Sequence, residues 1–396
     1  MSGPLAGIRV VEFAGIGPVP FAATMLADMG AEVVRVDRPP TGPRPDSVAA
    51  NVLDRGRRSI SLDLKHPEAV AVALDLIAGA DALVEGFRPG VMERLGLGPQ
   101  ECAARNPRLV YGRASGWGQT GPYRLRPGHD INYIAIAGAL SLIGRAGEPP
   151  VPPVALVGDY GGGAMFLLAG VLAGLVEAGR SGQGQVVDAA IVEGAAMLTA
   201  SIHARRAQGS WLAARGTNKN DTGSHFYNVY RTADDQYVTL GALEPGFYAE
   251  MLRLTGLADD PDFAGQWDQQ RWPASDPEQA ARADRTRWPE LQRRLAERIR
   301  AKTRDEWCEI FSGADTCFAP VLSLEETAED PHLRARGAVV DIGGVLQPAP
   351  APRFSRTESA VQGPPAGSGQ DTDAVLAALG RTPDQIAALR SSGAAS

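Results

Sequence analysis

The stretch IRVVEFAGIGPVPFAATMLADMGAEVVRV, residues 8–36, decides the fold. The β-branched run from Ile8 to Phe13 has the composition of a buried strand, and Ala14-Gly15-Ile16-Gly17-Pro18 is a tight turn with proline placed to open a helix. Phe21 to Met29 repeats apolar residues at helical spacing, and Glu32 to Val36 reads as a second strand. Strand, helix and strand in this order make a βαβ unit, in which the helix carries the chain back so that the strands run parallel.

The same alternation continues outward: a short strand near Ser59 to Leu62, a helix from Pro67 to Ala78, a strand at Ala82 to Glu85, a short helix opening at Gly90 and a strand at Leu109 to Arg113. An apolar helix from Ala164 to Ala178, a strand from Gly184 to Ile191 and a helix from Glu193 to about Gln208 follow. The pattern predicts an α/β protein with a Rossmann-like parallel sheet covered by helices on both faces. Beyond it the texture changes. Residues 216–223 are polar and turn-rich, and Phe226 to Leu240 alternates as a hairpin around Ala233-Asp234-Asp235, where a smaller α/β domain begins. The expected division is a large domain over residues 1–190, a linker helix and loop over 191–225, a small domain over 226–320, and a returning segment over 321–396 that completes the large domain. A polar insertion around residues 260–285 carries two similar pieces, Gln269 to Pro273 and Arg285 to Pro289, and the alanine- and serine-rich tail after Ser392 reads as disordered.

A net charge of -7 argues against a nucleic-acid binder, which needs a basic stripe. Cys102, Cys308 and Cys317 are scattered, with no pair spaced for a zinc site or a disulfide framework, and no two histidines have metal-ligand spacing; no metal is expected. The start, Met1-Ser2-Gly3-Pro4-Leu5, lacks the basic and apolar regions of a secretion signal. The apolar stretch from Ala164 to Val176 is short for a bilayer. A cytoplasmic protein with no membrane partner is the expectation.

Gly15 and Gly17 after a strand, with Asp37 one βαβ unit later, invite a dinucleotide reading. Pro18 and Pro20 weaken it, because they remove the amides that would hold a pyrophosphate. His129, in Pro127-Gly128-His129-Asp130-Ile131-Asn132-Tyr133, is placed either as a proton carrier or as a helix cap. Asp159, in Val157-Gly158-Asp159-Tyr160-Gly161-Gly162-Gly163, is either a base or nucleophile beside a glycine-rich helix start, or an N-cap. The three glycines leave room for a ligand in this reading, with backbone donors near Gly161 positioned for an oxyanion. Glu244 ends a hairpin strand, where a carboxylate is often only solvated. Arg38 and Arg88 follow strands, where they can meet phosphates; Arg55 and Arg57 read as a solvated face.

These pieces in this order resemble the family III coenzyme A transferases, the CaiB/BaiF group, and within it the α-methylacyl-CoA racemases. The resemblance is carried by Pro4 to Glu12, Leu26 to Val34, Glu85 to Gly90, Gly116 to Pro122, Gly128 to Tyr133, Val157 to Gly163 and Pro350 to Arg356. It implies a large Rossmann-like domain, a smaller domain and a homodimer of interlocked rings. It implies an acyl-CoA thioester substrate with no cofactor beyond the coenzyme A of that substrate. It also implies that His129 and Asp159 serve opposite faces of the α-carbon, and that Glu244, from the neighbouring chain, hydrogen-bonds the histidine. Arg38, Leu62, Asp63, Leu64, Lys65, Arg88, Gly128, Asp130, Ile131, Asn132 and Tyr133 would contact the coenzyme A portion. The alternative within the family is a transferase in which Asp159 is the nucleophile; a noncatalytic acyl-CoA binder and a dinucleotide oxidoreductase stand further off. Asn218 to His225 departs from the racemase pattern.

Overall fold

The computed structural model describes residues 2–39, 51–264 and 285–396. The piece Gln269 to Pro273 and most of the polar insertion lie outside the described residues. The chain forms two compact units, one of residues 1–137, 154–197 and 327–396, the other of residues 138–153 and 198–326.

The first unit is built on six parallel strands: β1 (Arg9–Phe13), β2 (Glu32–Asp37), β3 (Arg58–Ser61), β4 (Ala82–Glu85), β5 (Val110–Ser115) and β6 (Val186–Ala190). Their order is β3-β2-β1-β4-β5-β6, with Val10 registered against Val33 on one side and Ala82 on the other. The chain therefore reverses its direction of travel between β1 and β4, and a crevice opens there at the strands' carboxyl ends. Helices α1 (Pro18–Asp28), α2 (Pro67–Ala78), α3 (Val91–Arg94), α4 (Pro99–Arg105), α5 (Asp130–Ile136) and α6 (Met165–Ser181) belong to this unit. Alternate residues of each strand face opposite layers. Val11, Phe13, Val34, Val36 and Ile60 pack with Val72, Leu76 and Ile77 of α2, while Val10, Val33, Val84 and Val110 pack with Ala23 and Leu26 of α1 and Leu167 and Val171 of α6.

Three expectations are corrected here. Arg55 and Arg57 are 5% and 4% exposed, not solvated. Arg57 pairs with Glu12 and Asp54, and Arg55 with Asp28, Gln347 and the Pro348 carbonyl, so residues distant in sequence supply the counter-charges that make burial tolerable. The tail is ordered: Ala394 and Ala395 are buried, Asp63 N donates to Ala394 O at 3.0 Å, and Ser396 N donates to Ser61 O at 3.2 Å. Small side chains fit where the tail closes the end of β3, and the backbone bonds hold it. The apolar helix begins earlier than expected. A π-helical run at Leu156–Ala164 continues into α6, giving 26 residues long and apolar enough to cross a bilayer. Its packing on α1 and β5 makes it a core helix of this unit.

The second unit carries β7 (Tyr227–Arg231), β8 (Tyr237–Gly241) and β9 (Phe318–Pro320) as an antiparallel sheet. The hairpin turns where expected, with Asp235 at φ 61°; β9 is an added strand on β8. Helix α7 (Ile191–Leu198), which belongs to the first unit up to Met197, stops at Thr199, and α8 (Ala200–Ala207) follows in the second unit, so the expected single helix is two. Phe226, Leu240, Tyr248 and Leu252 of the hairpin and α9 (Pro245–Thr255) close a core with Trp288, Leu295 and Trp307.

Candidate active site

At the switch point between β1 and β4 lies a cavity of about 240 Å³, lined within the first unit by the turn after β1, the loop after β4, the end of β5 and the segment leading into α5. His129, Asp159, Arg88, Gly128 and Tyr133 line it together. The three loops converge because parallel strands all end on the same edge of the sheet.

Asp159 is half-buried inside the π-helical run. It is therefore not an N-cap, and Gly161 is not at a helix start; the expected oxyanion donors near Gly161 lie within the helical run. Nor do Gly162 and Gly163 leave room for a ligand: a Cβ on Gly162 would stand 2.6 Å from Ala195 N, and one on Gly163 2.9 Å from Pro18 Cβ. They let the helix approach its neighbours. The carboxylate of Asp159 points at the start of α1, where a Cβ on Gly17 would lie 3.2 Å from Oδ2. Gly17 sits at φ 73°, a conformation glycine accepts without strain. Pro18 and Pro20 leave that helix end with few donors, so it solvates the carboxylate poorly. Burial and then the neighbouring Asp130 push the Asp159 pKa up, and His129 pulls it partly back. A carboxyl so placed gives up its proton less readily than a solvated one.

His129 takes the N-cap position of α5 and also lines the cavity. Asn132 Oδ1 accepts from His129 N at 3.0 Å and fixes this entry. Asp130 Oδ1 accepts from Asp159 N at 2.7 Å, tying α5 to the π-helical run. Tyr133 donates its hydroxyl to Gly128 O, and its ring packs edge-on against Trp117 at 4.8 Å; burial and then Asp159 raise its pKa.

The other residues singled out from sequence stand apart. Arg38 is exposed and lies 5.9 Å over the ring of Phe87, which does line the cavity. Leu62 is buried in the core, its amide bonded to Asp37 O at 2.9 Å; Asp63, Leu64 and Lys65 are not among the lining residues, and Ile131 is 43% exposed. Glu244 belongs to the second unit, at the N-cap of α9. Sequence reading missed Trp117, Arg124 and Arg126, which line the cavity beside Arg88. Two arginines just before Gly128 were the available signal. His225 is fully buried against the Tyr248 hydroxyl at 2.8 Å, and burial pushes it down to about 3. Its place is in the core, not in proton transfer. Among the described residues no cluster could hold a metal ion.

The family model described as CoA-transferase family III matches residues 5–372. Alpha-methylacyl-CoA racemase of Mus musculus is 43% identical over 391 residues, 98% of this chain and 96% of the relative; that of Homo sapiens is 42% identical, covering 89% and 87%. A succinyl-CoA–D-citramalate CoA-transferase of Chloroflexus aurantiacus is 30% identical, covering 98% and 97%. Among solved structures, a CAIB/BAIF family protein from Brucella suis superimposes with a TM-score of 0.78 at 25% identity, covering 96% of this chain and all of the other.

Proposed function

Because this chain belongs to CoA-transferase family III, we propose that it racemises 2-methylacyl-CoA thioesters by 1,1-proton transfer. One observation carries the reading: His129 and a half-buried Asp159 of raised pKa line one cavity at the sheet's switch point. One group takes the α-proton and the C–H electrons move onto the thioester oxygen, giving a planar enolate. The other group, carrying a proton, delivers it to the opposite face, and the carbonyl reforms. Proton transfer works best between groups poised near the working pH, and burial moves Asp159 toward that range. The similarity to racemases at 42–43% identity supports this over transfer chemistry.

Arg88, Arg124 and Arg126 receive the phosphates of coenzyme A, with Gly128 and Tyr133 shaping the wall. The two acid-base groups suffice for the reaction, and the enzyme works in the cytoplasm without a further cofactor, membrane or nucleic-acid partner. Two copies interlock as a homodimer, and Glu244 of the second copy accepts a hydrogen bond from His129. Exposed apolar side chains such as Val154, Leu156 and Met197 support such pairing.

The test is incubation of one 2-methylacyl-CoA epimer in deuterated water. Both epimers with α-deuterium are expected. Transfer of coenzyme A to a free acid without α-exchange replaces the reading with one in which Asp159 is the nucleophile.

A further inference from the structure

The loop that joins β5 to α5 carries Arg124 and Arg126 into the cavity and ends at His129. Among the described residues no carboxylate pairs with either guanidinium, so both charges are left for an anionic ligand. The loop is mostly exposed. Among the described residues, two hydrogen bonds tie residues 120–128 to the chain outside them: Trp117 Nε1 donates to Arg126 O at 3.2 Å, and the Tyr133 hydroxyl donates to Gly128 O. The loop's other bonds are local, Arg126 N to Tyr123 O at 2.8 Å and Arg124 N to Gly121 O at 3.4 Å. The Arg126 guanidinium lies 4.1 Å over the Tyr123 ring, and that ring meets Trp117 edge-on at 5.4 Å. Backbone and side chain of Arg126 are therefore both held from one indole. The indole is fixed in turn. Half-buried Trp117 follows the end of β5 by two residues and packs edge-on against Tyr133 of α5 at 4.8 Å; a Cβ on Gly128 would stand 3.1 Å from its Cζ2. A side chain anchored at the end of a strand and against a helix is placed more precisely than one on the loop it holds.

We propose that Trp117 is a positioning residue for the phosphates of the thioester: its indole N–H fixes the Arg126 carbonyl, and its ring seats the Tyr123 face on which the Arg126 guanidinium lies. The inference rests on the reading above in which Arg126 receives phosphate. An arginine on an untied loop must be ordered when its ligand arrives, and that ordering weakens affinity. Trp117 supplies part of the order in advance. Proton transfer at the α-carbon belongs to His129 and Asp159, so the effect of Trp117 falls on binding and not on turnover.

The readout is the dissociation constant, by calorimetric titration, of coenzyme A and of pantetheine, which lacks the phosphates, together with kcat and KM for α-deuterium exchange. The wild type should bind coenzyme A more tightly than pantetheine. Trp117→Phe, which keeps an aromatic ring and loses the N–H, should weaken coenzyme A about fivefold and leave pantetheine unchanged. KM for the coenzyme A thioester should rise with kcat unchanged. Arg126→Met should weaken coenzyme A about tenfold, and adding Trp117→Phe to it should cost nothing further, because the tryptophan acts through that guanidinium. Equal affinity of Trp117→Phe and the wild type for coenzyme A overturns the inference. So does an equal loss for pantetheine, or an undiminished effect of Trp117→Phe beside Arg126→Met. Binding of coenzyme A needs no turnover, so a failure of racemisation leaves this test standing. If the wild type itself binds coenzyme A no more tightly than pantetheine, the assignment of phosphates to this cavity fails and takes the role of Trp117 with it.

Discussion

Replacing Asp159 with Asn separates the two proton carriers. Asparagine keeps the shape of the side chain, and the bond from the backbone amide of residue 159 to Asp130 Oδ1 does not depend on the substitution, so the change is chemical. Loss of one positioned acid-base group costs about 10²–10⁴ in rate, and racemisation should fall by that factor. His129 remains, however, and serves its own face. The epimer whose α-hydrogen faces His129 should still exchange it for deuterium with retention of configuration, while the opposite epimer should not exchange. Chiral separation with mass detection in deuterated water reads both outcomes. Stability should move the other way. A carboxyl whose folded pKa is raised adds stability at low pH that is lost as pH rises through the folded value. Above the folded value the wild type therefore bears the cost of a buried charge beside Asp130, which asparagine removes. Asp159→Asn should melt at the same temperature or higher near neutrality, and the difference should close in acid. Racemisation at the wild-type rate would refute the acid-base role. Loss of activity together with a lowered melting temperature would instead assign Asp159 a structural role.

Two further outcomes follow from the interior of each unit. Arg57→Met strands Glu12, whose pKa burial already raises, without its fully buried partner; unfolding in denaturant should show a loss of about 3–5 kcal/mol, and a loss under 1 kcal/mol would mean that water reaches the site. His225 must enter its core neutral. Its folded pKa, pushed down to about 3, lies below that of the unfolded chain, so stability should fall by up to about 1.4 kcal/mol per pH unit as pH drops below about 6.5. His225→Gln should flatten that slope in a pH series of unfolding midpoints, and an unchanged slope would point to the carboxylates alone.

Local sequence was sufficient for the sheet. The period of Ile8 to Val36 and its proline-opened turn specify a βαβ unit without reference to the rest of the chain, because strand and helix periodicities are properties of neighbouring residues. The same local reading left His129 and Asp159 divided between capping and chemistry; only the order of separated motifs favoured chemistry. Tertiary structure decided what depends on partners far away in sequence. It put Arg57 against Glu12 and tucked Ala395 beside Leu62, because burial of a charge or of a bare tail is set by what meets it. It wound the glycines after Asp159 into a packed helix where open space was expected. And it set Asp130 behind Asp159, so that the proton affinity of the carboxyl comes from a low-dielectric position and a like-charged neighbour, neither of which a linear sequence can express.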